Sequence, residues 1–147
     1  MACVIFVGLQ ASGKSSFYQQ RFRDTHIRLN MDMLKTRYRE RVLMVACIDS
    51  KQPVVIDNTN STVGERARYT KPFKQAGFKL VAYYFRSSLA ECLARNRKRD
   101  QKIPEVGIKG TYNKLTQPSY DEGFDEIYYV ALGDGGFEVS EWIDEVR

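Results

Sequence analysis

The stretch CVIFVGLQASGKSS, residues 3–16, constrains the fold most, because an apolar run passes directly into the pattern G-x-x-x-x-G-K-S from Gly8 to Ser15. A backbone that turns tightly at Gly8 and Gly13 points successive N–H groups inward, and the helix that follows adds the positive end of its dipole. The pattern therefore requires a buried strand before it and a helix after it. N–H groups across Ala11, Ser12, Gly13, Lys14, Ser15 and Ser16 are expected to hold a phosphate chain, with Lys14 on the outer phosphates and the Ser15 hydroxyl on Mg²⁺. The loop alone leaves open where the terminal phosphate goes.

Beyond the loop, apolar runs alternate with amphipathic segments, the pattern of βαβ units around a parallel sheet. Strands are expected near Val4–Val7, His26–Leu29, Pro53–Asp57, Lys79–Phe85 and Glu126–Ala131, giving a central parallel sheet of about five strands flanked by helices. The first helix should run from the loop to about Phe22. A second, from about Asp32 to Ile48, would bury Leu34, Tyr38, Val42 and Val45 at three- and four-residue intervals. Thr62-x-x-Glu65 and Ser88-x-x-Glu91 match the capping box and start a third and a fourth helix. Gly77 supplies a C-cap. Pro104 should interrupt the fourth helix, leaving Arg99–Ile103 as a basic, mobile loop. A last helix is expected near Val139–Val146, packing Trp142 and Ile143 on the core.

The length of 147 residues suits a single domain, 1–147, large enough to need no disulfide or metal. No window of about 18 apolar residues exists to span a membrane, and the N-terminal segment lacks the marks of a secretory signal, so export is not expected. Cys3, Cys47 and Cys92 are odd in number and lie in apolar stretches, which fits reduced, buried thiols and a cytoplasmic location. His26 is the sole histidine; without metal-ligand spacing around it, it reads as a residue near a strand start. The net charge of +5 and pI of about 9.1 favour polyanionic partners. Basic residues cluster at Arg37–Arg41, at Arg66–Lys74 and at Arg95–Lys102; the middle group reads best as a solvated helix face.

Three further segments carry candidate chemistry. KQPVVIDNTN, residues 51–60, is a strand that ends in a carboxylate and small polar residues. Ligands bind beyond the carboxyl ends of strands in such sheets, so Asp57 is placed to join the Mg²⁺ shell, with Asn58, Thr59 and Asn60 beside the bound substrate. The same residues would equally make a turn, with Asp57 capping the next helix. In LNMDMLK, residues 29–35, Asp32 is either an ordinary helix N-cap or the carboxylate that accepts a proton from an attacking hydroxyl. In ARNRKRDQKIP, residues 94–104, Arg95 and Arg99 share a helix face. They would either close over transferring phosphate oxygens as a lid or complement their own helix dipole.

Taken in order, these segments resemble the 5′-hydroxyl polynucleotide kinase family within the P-loop NTPases of the nucleoside- and adenylate-kinase type. The similarity lies in Asn30-x-Asp32, in VVIDNTN followed by ERARY (residues 65–69), and in RNRKR followed by IP. It continues more loosely through YDEGFDEI, residues 120–127. The resemblance implies that Lys14 and Ser15 bind ATP phosphates and Mg²⁺, Asp32 activates the 5′-hydroxyl of DNA or RNA, and Arg95 and Arg99 form a short basic lid. Lys35 stands where the family often has an arginine on the phosphate next to the acceptor nucleotide, and Met31 where it has an arginine. Lys35 offers a point charge in place of a bidentate fork. Tyr38 and Arg39 are further possible suppliers of an acceptor groove. The chain has no room for the phosphatase domain of some relatives, so removal of end phosphates is not expected. The same catalytic parts would also serve a kinase of a small metabolite or nucleoside, and the fold would serve a nucleotide-dependent ATPase or binding module.

Overall fold

The structure is a computed structural model that describes residues 1–100 and 102–142. Its sheet has six strands in the order β2-β3-β1-β4-β5-β6, formed by β1 (Ala2–Val7), β2 (Ile27–Leu29), β3 (Val54–Ile56), β4 (Lys79–Phe85), β5 (Glu126–Gly133) and β6 (Gly136–Glu141). The first five are parallel, and β6 alone runs antiparallel, against β5. β1 is flanked by β3 and β4 and helices pack on both faces of the sheet, so Cys3–Val7 are all buried. Such runs are apolar without alternation for that reason.

Helices cover both faces. α1 (Lys14–Arg21) packs Phe17 and Tyr18 with Phe6, Val55, Phe85 and Val130 on one face. On the other, α3 (Arg37–Ser50) and α4 (Val63–Gln75) bring Met44, Cys47, Tyr69 and Phe73 onto Ile5, Ile56, Leu80 and Ile127. A smaller cluster of Leu9, Cys92 and Ile108 seats α5 (Leu89–Arg97) and α6 (Glu105–Lys114) against the start of the glycine loop. The three cysteines are buried and free. Among the described residues no helix is long and apolar enough to cross a membrane.

Three expectations are corrected. The second helix is two: α2 (Met31–Leu34) stops at Lys35, whose φ is 73°, and α3 restarts from Thr36, whose hydroxyl accepts from Arg39 N. Its inward face is Glu40, Met44 and Cys47, whereas Tyr38, Val42 and Val45 are exposed. Apolar periodicity misses this face because Glu40 is buried with its carboxylate satisfied by Tyr69 OH at 2.7 Å and Arg37 Nη1 at 2.9 Å. Finally, residues 139–141 lie in β6, not in a helix: Gly133 pairs with Gly136 across Asp134-Gly135, and Asp-Gly between alternating segments is a hairpin signal. Trp142 does pack on the core, against Tyr84 and Tyr129. Ile143 and the rest of that expected helix lie outside the described residues.

The middle basic group is also not a solvated face throughout. Arg66 is fully buried, with Nε on Glu122 Oε1 at 2.7 Å, Nη2 on Glu122 Oε2 at 3.0 Å, and Nη1 on the carbonyls of Asn60 and Thr116, each at 2.9 Å. One side chain thus joins α4, the end of β3 and the segment before β5. Removing one partner of a buried ion pair leaves the other charge desolvated, so Arg66→Ala is expected to cost about 3–5 kcal/mol of stability, read by urea unfolding. A loss under about 1 kcal/mol would show that the pair is not what holds these segments.

Candidate active site

The carboxyl ends of β1, β2 and β3 are fastened to one another by hydrogen bonds, and the candidate site grows from that edge. Gly8 N donates to Thr59 O at 3.0 Å and Asp57 N to Leu29 O at 2.9 Å. Asn30 Nδ2 donates to Asp57 O at 2.6 Å, and Asn60 Nδ2 to Phe6 O at 2.7 Å. The Asn-Thr-Asn segment is therefore mainly a brace between strand ends; the Asn60 amide is buried and spent on backbone carbonyls.

A cavity of about 740 Å³ opens above this edge. Ala11, Gly13, Lys14, Ser15, Ser16, Asp32, Asp57, Asn58, Thr59, Asn60, Arg95 and Arg99 all line it. The glycines are required by the backbone. A Cβ on Gly8 would meet Phe85 Cβ at 2.9 Å, and Gly13 has φ 98° with the Phe137 ring 3.0 Å from where its Cβ would stand. Lys14 Nζ folds back onto the carbonyls of Gly8 at 3.1 Å and Leu9 at 2.6 Å. Burial lowers its pKa to about 8, opposed by the attraction of Asp57 and Asp32 and reinforced by Arg99. The Ser12 hydroxyl is buried in the same loop and has no hydrogen-bond partner among the described residues, while Gly8 and Ser12 themselves sit behind the cavity wall.

Asp57 is almost wholly buried, and its Oδ2 accepts from Ser15 Oγ at 3.2 Å and from Arg28 Nε at 2.8 Å. Arg28 Nη2 donates in turn to Ser15 Oγ at 3.1 Å, which closes a triangle. The two oxygens expected to serve a metal are thus adjacent, and they are hard donors of the kind Mg²⁺ takes. Arg28, on β2, went unnoticed in the sequence because no motif contains it. Asp57 does not cap the next helix; Thr62 does, accepting from Glu65 N at 3.1 Å.

The ordinary N-cap reading of Asp32 is likewise not what the structure shows. Asn30 is the cap, its Oδ1 accepting from Met33 N at 3.0 Å. Asp32 stands in the first turn with its carboxylate exposed to the cavity, and among the described residues it holds no hydrogen bond or ion pair. Beyond it lies a network the sequence did not reveal. Met31 N donates to Asn58 Oδ1 at 3.0 Å, Asn58 Nδ2 to Tyr69 OH at 3.2 Å, and Arg37 Nη1 to the same oxygen at 3.1 Å. Burial and the Glu40 carboxylate raise the Tyr69 pKa, so the phenol stays protonated.

Arg37, Glu65, Arg68 and Tyr69 line the cavity wall beside this network. The signal for the last three was the i, i+3, i+4 spacing within ERARY, which puts them on one face of α4. Lys35, Tyr38 and Arg39 do not line the cavity; Arg39 turns back to Leu34 O at 3.2 Å. At the opposite wall Arg95 Nη1 donates to Ala11 O at 3.1 Å. Arg99 lies beyond the last turn of α5, not on the same helix face as Arg95, yet both reach the cavity. The Asn96 amide holds the segment between, Nδ2 to Ile103 O at 2.7 Å and Oδ1 from Ile103 N at 2.9 Å. His26 lies just before β2, outside the cavity, as expected.

The chain is similar to several known proteins. It is 26% identical over 132 residues to the bifunctional polynucleotide phosphatase/kinase of Schizosaccharomyces pombe, covering 84% of this chain and 32% of that protein. It is 26% identical over 141 residues to the L-seryl-tRNA(Sec) kinase of Methanococcus maripaludis, covering 83% and 55%. The chain thus spans about a third to a half of the length of these relatives. Among solved structures, Chaetomium thermophilum Kti12 in complex with ADP-AlF3 shares the fold with a TM-score of 0.65 at 14% identity, over 90% of both chains. A gluconokinase from Sinorhizobium meliloti does so with a TM-score of 0.60 at 15% identity, over 90% of this chain and 83% of that one. The Pnkp1/Rnl/Hen1 RNA repair complex gives 0.66 at 21% identity, over 78% and 43%. A family model described as an AAA domain, AAA_33, matches residues 3–109. With that match over well more than half its length, and with a glycine loop seated on a parallel sheet, the chain belongs to the AAA domain family as a nucleotide-binding P-loop domain of the kinase type.

Proposed function

We propose that this domain transfers the γ-phosphate of ATP to the 5′-hydroxyl end of DNA or RNA, with Mg²⁺, in a cytoplasmic setting that the free thiols support. The observation that carries the reading is the unpaired Asp32 carboxylate, which shares one cavity with Lys14 on the donor side and with Arg37 and Arg68 on the acceptor side. An acceptor that carries its own phosphates needs guanidinium groups there, whereas a neutral polyol needs none. The polynucleotide phosphatase/kinase relative supports the same acceptor.

In this reading the loop from Gly8 to Ser16 holds the phosphate chain, and Lys14 neutralises its outer oxygens. Ser15 and Asp57 would hold Mg²⁺, which would supply charge neutralisation to the phosphate chain. Asp32 takes the proton of the attacking hydroxyl as its oxygen bonds to the γ-phosphorus, and the bond to the β,γ-bridging oxygen breaks, releasing ADP. Arg95 and Arg99 stabilise the equatorial oxygens from the far wall. Asn58, through Met31 N and Tyr69, fixes the turn that presents Asp32. Arg37 and Arg68 take the acceptor-phosphate role that the resemblance implied for Lys35.

Labelled transfer from ATP to 5′-hydroxyl DNA, 5′-hydroxyl RNA, nucleosides and small polyols tests the acceptor, and transfer confined to free small molecules overturns the polynucleotide reading. Asp32→Asn is expected to lower kcat by about 10²–10⁴ while nucleotide binding, followed by calorimetry, stays within about twofold. Lys14 gives a second readout. Its pKa of about 8 in the free protein will rise beside anionic phosphate. Below about pH 8 the lysine is already charged; above it, binding must take up a proton. Nucleotide affinity should therefore fall with rising pH above about 8, by up to about tenfold per unit, with proton uptake visible as a buffer-dependent binding enthalpy. Equal enthalpies in buffers of different ionisation heat at pH 9 would contradict this.

Arg28 shares Ser15 and Asp57 with any metal bound there. Arg28→Gln removes a competing cation, so Mn²⁺ binding read by electron paramagnetic resonance should tighten by about three- to tenfold.

A further inference from the structure

A second cavity of about 720 Å³ has a lining that shares no residue with the first. Tyr84, Tyr112, Tyr129, Arg86 and Asn113 are among its walls. Tyr84 and Tyr129 stack on each other at 6.1 Å with an interplanar angle of 29°, and both pack on Trp142, so the inner wall is fixed, with Tyr84 itself buried. Tyr112, on α6, is 44% exposed and forms the outer wall. Arg86 is half-exposed and reaches Glu91 only at 3.7 Å. The exposed Tyr112 ring beside a guanidinium and a side-chain amide forms a setting that takes a planar heterocycle: stacking on the ring, hydrogen bonds from the amide, charge for an attached phosphate.

The two cavities are back to back. Glu65 lines the first, and its carboxylate holds Lys114 Nζ at 3.0 Å; Lys114 lies between Asn113 and Leu115, which both line the second. Gln10, also of the first cavity, donates to Thr111 Oγ1 at 3.1 Å, next to Tyr112. The partition is the end of α6, one helix or about 10–12 Å thick. Lys114, half-exposed and paired with Glu65, is the cation on the way across.

We propose that the second cavity binds a base of the acceptor strand, a few nucleotides from the 5′-hydroxyl end, so that the enzyme grips single-stranded nucleic acid at two places. The inference rests on the polynucleotide reading above and names what holds the strand beyond its first nucleotides. An acceptor of two nucleotides is too short to cross the partition, whereas one of about six spans it.

The test uses single-stranded 5′-hydroxyl oligomers of two to twelve nucleotides, in parallel DNA and RNA series, with binding read by fluorescence anisotropy and transfer read as KM and kcat. In the unaltered protein, KM and Kd should fall about five- to tenfold between two and about eight nucleotides. Tyr112→Ala should abolish that gain without changing kcat or the KM of the dinucleotide, and Tyr112→Phe, which keeps the ring, should retain it. Arg86→Gln should reduce the gain in part. A length-independent KM in the unaltered protein, or an unaltered gain in Tyr112→Ala, overturns the proposal. If no oligomer is phosphorylated yet Tyr112→Ala still weakens oligomer binding, the phosphotransfer reading falls and the base site stands. If no oligomer binds, both fall.

Discussion

Everything in the candidate site depends on the hydrogen bonds that lock the ends of β1, β2 and β3 to one another. A parallel sheet fixes strand direction and register but leaves the loops beyond its edge free to diverge. Here Gly8 is tied to Thr59, Asn60 reaches back to Phe6, and Asn30 closes on Asp57. Each bond contributes only about 1 kcal/mol net. Their combined effect is geometric: the phosphate loop, the buried carboxylate and the turn bearing Asp32 cannot drift apart without breaking several bonds in a desolvated place.

Electrostatics follows from that frame. Asp57 is buried because the strand delivers it there, and it is tolerated because Ser15 and Arg28 satisfy it. Lys14 is held near two carbonyls with its ammonium partly stripped of water, which lowers its pKa toward neutrality and makes its charge responsive to an incoming anion. Asp32 stands apart from this saturated group. The helix cap is supplied by Asn30 instead, so the Asp32 carboxylate is not spent on backbone N–H groups, as the proposed role of proton acceptor requires.

The sheet was legible in the sequence because strands buried on both faces read as unbroken apolar runs, and the donor loop because its glycines have a steric necessity. Five of the six strands fell within a few residues of expectation. What periodicity could not show was the inward face of α3, since a carboxylate satisfied by a phenol and a guanidinium counts as polar in any hydropathy pattern. Arg66 was obscured in the same way: the other basic residues of its group, Arg68, Lys71 and Lys74, are exposed, while its partner Glu122 is far along the chain. The β5–β6 hairpin carried its Asp-Gly signal openly and was outweighed by the apolar spacing of the residues after it. The resemblance pointed to Lys35 because it matched by position; that residue, with φ 73°, ends α2 outside the cavity, and Arg37, two residues on, lines the wall.

The Asn96 clamp on Ile103 bears on how the two basic groups opposite the glycine loop behave. Arg95 belongs to a helix and Arg99 to the chain after it, yet both hydrogen bonds of the Asn96 amide return that chain to the helix. The pair is therefore carried on one clamped segment, which meets the glycine loop through the Leu9, Cys92 and Ile108 cluster, through Arg95 Nη1 on Ala11 O at 3.1 Å and through Gln10 Nε2 on Thr111 Oγ1 at 3.1 Å. Two guanidinium groups that line one cavity repel each other, and these ties supply in advance part of the positioning that an anion between them would otherwise have to impose.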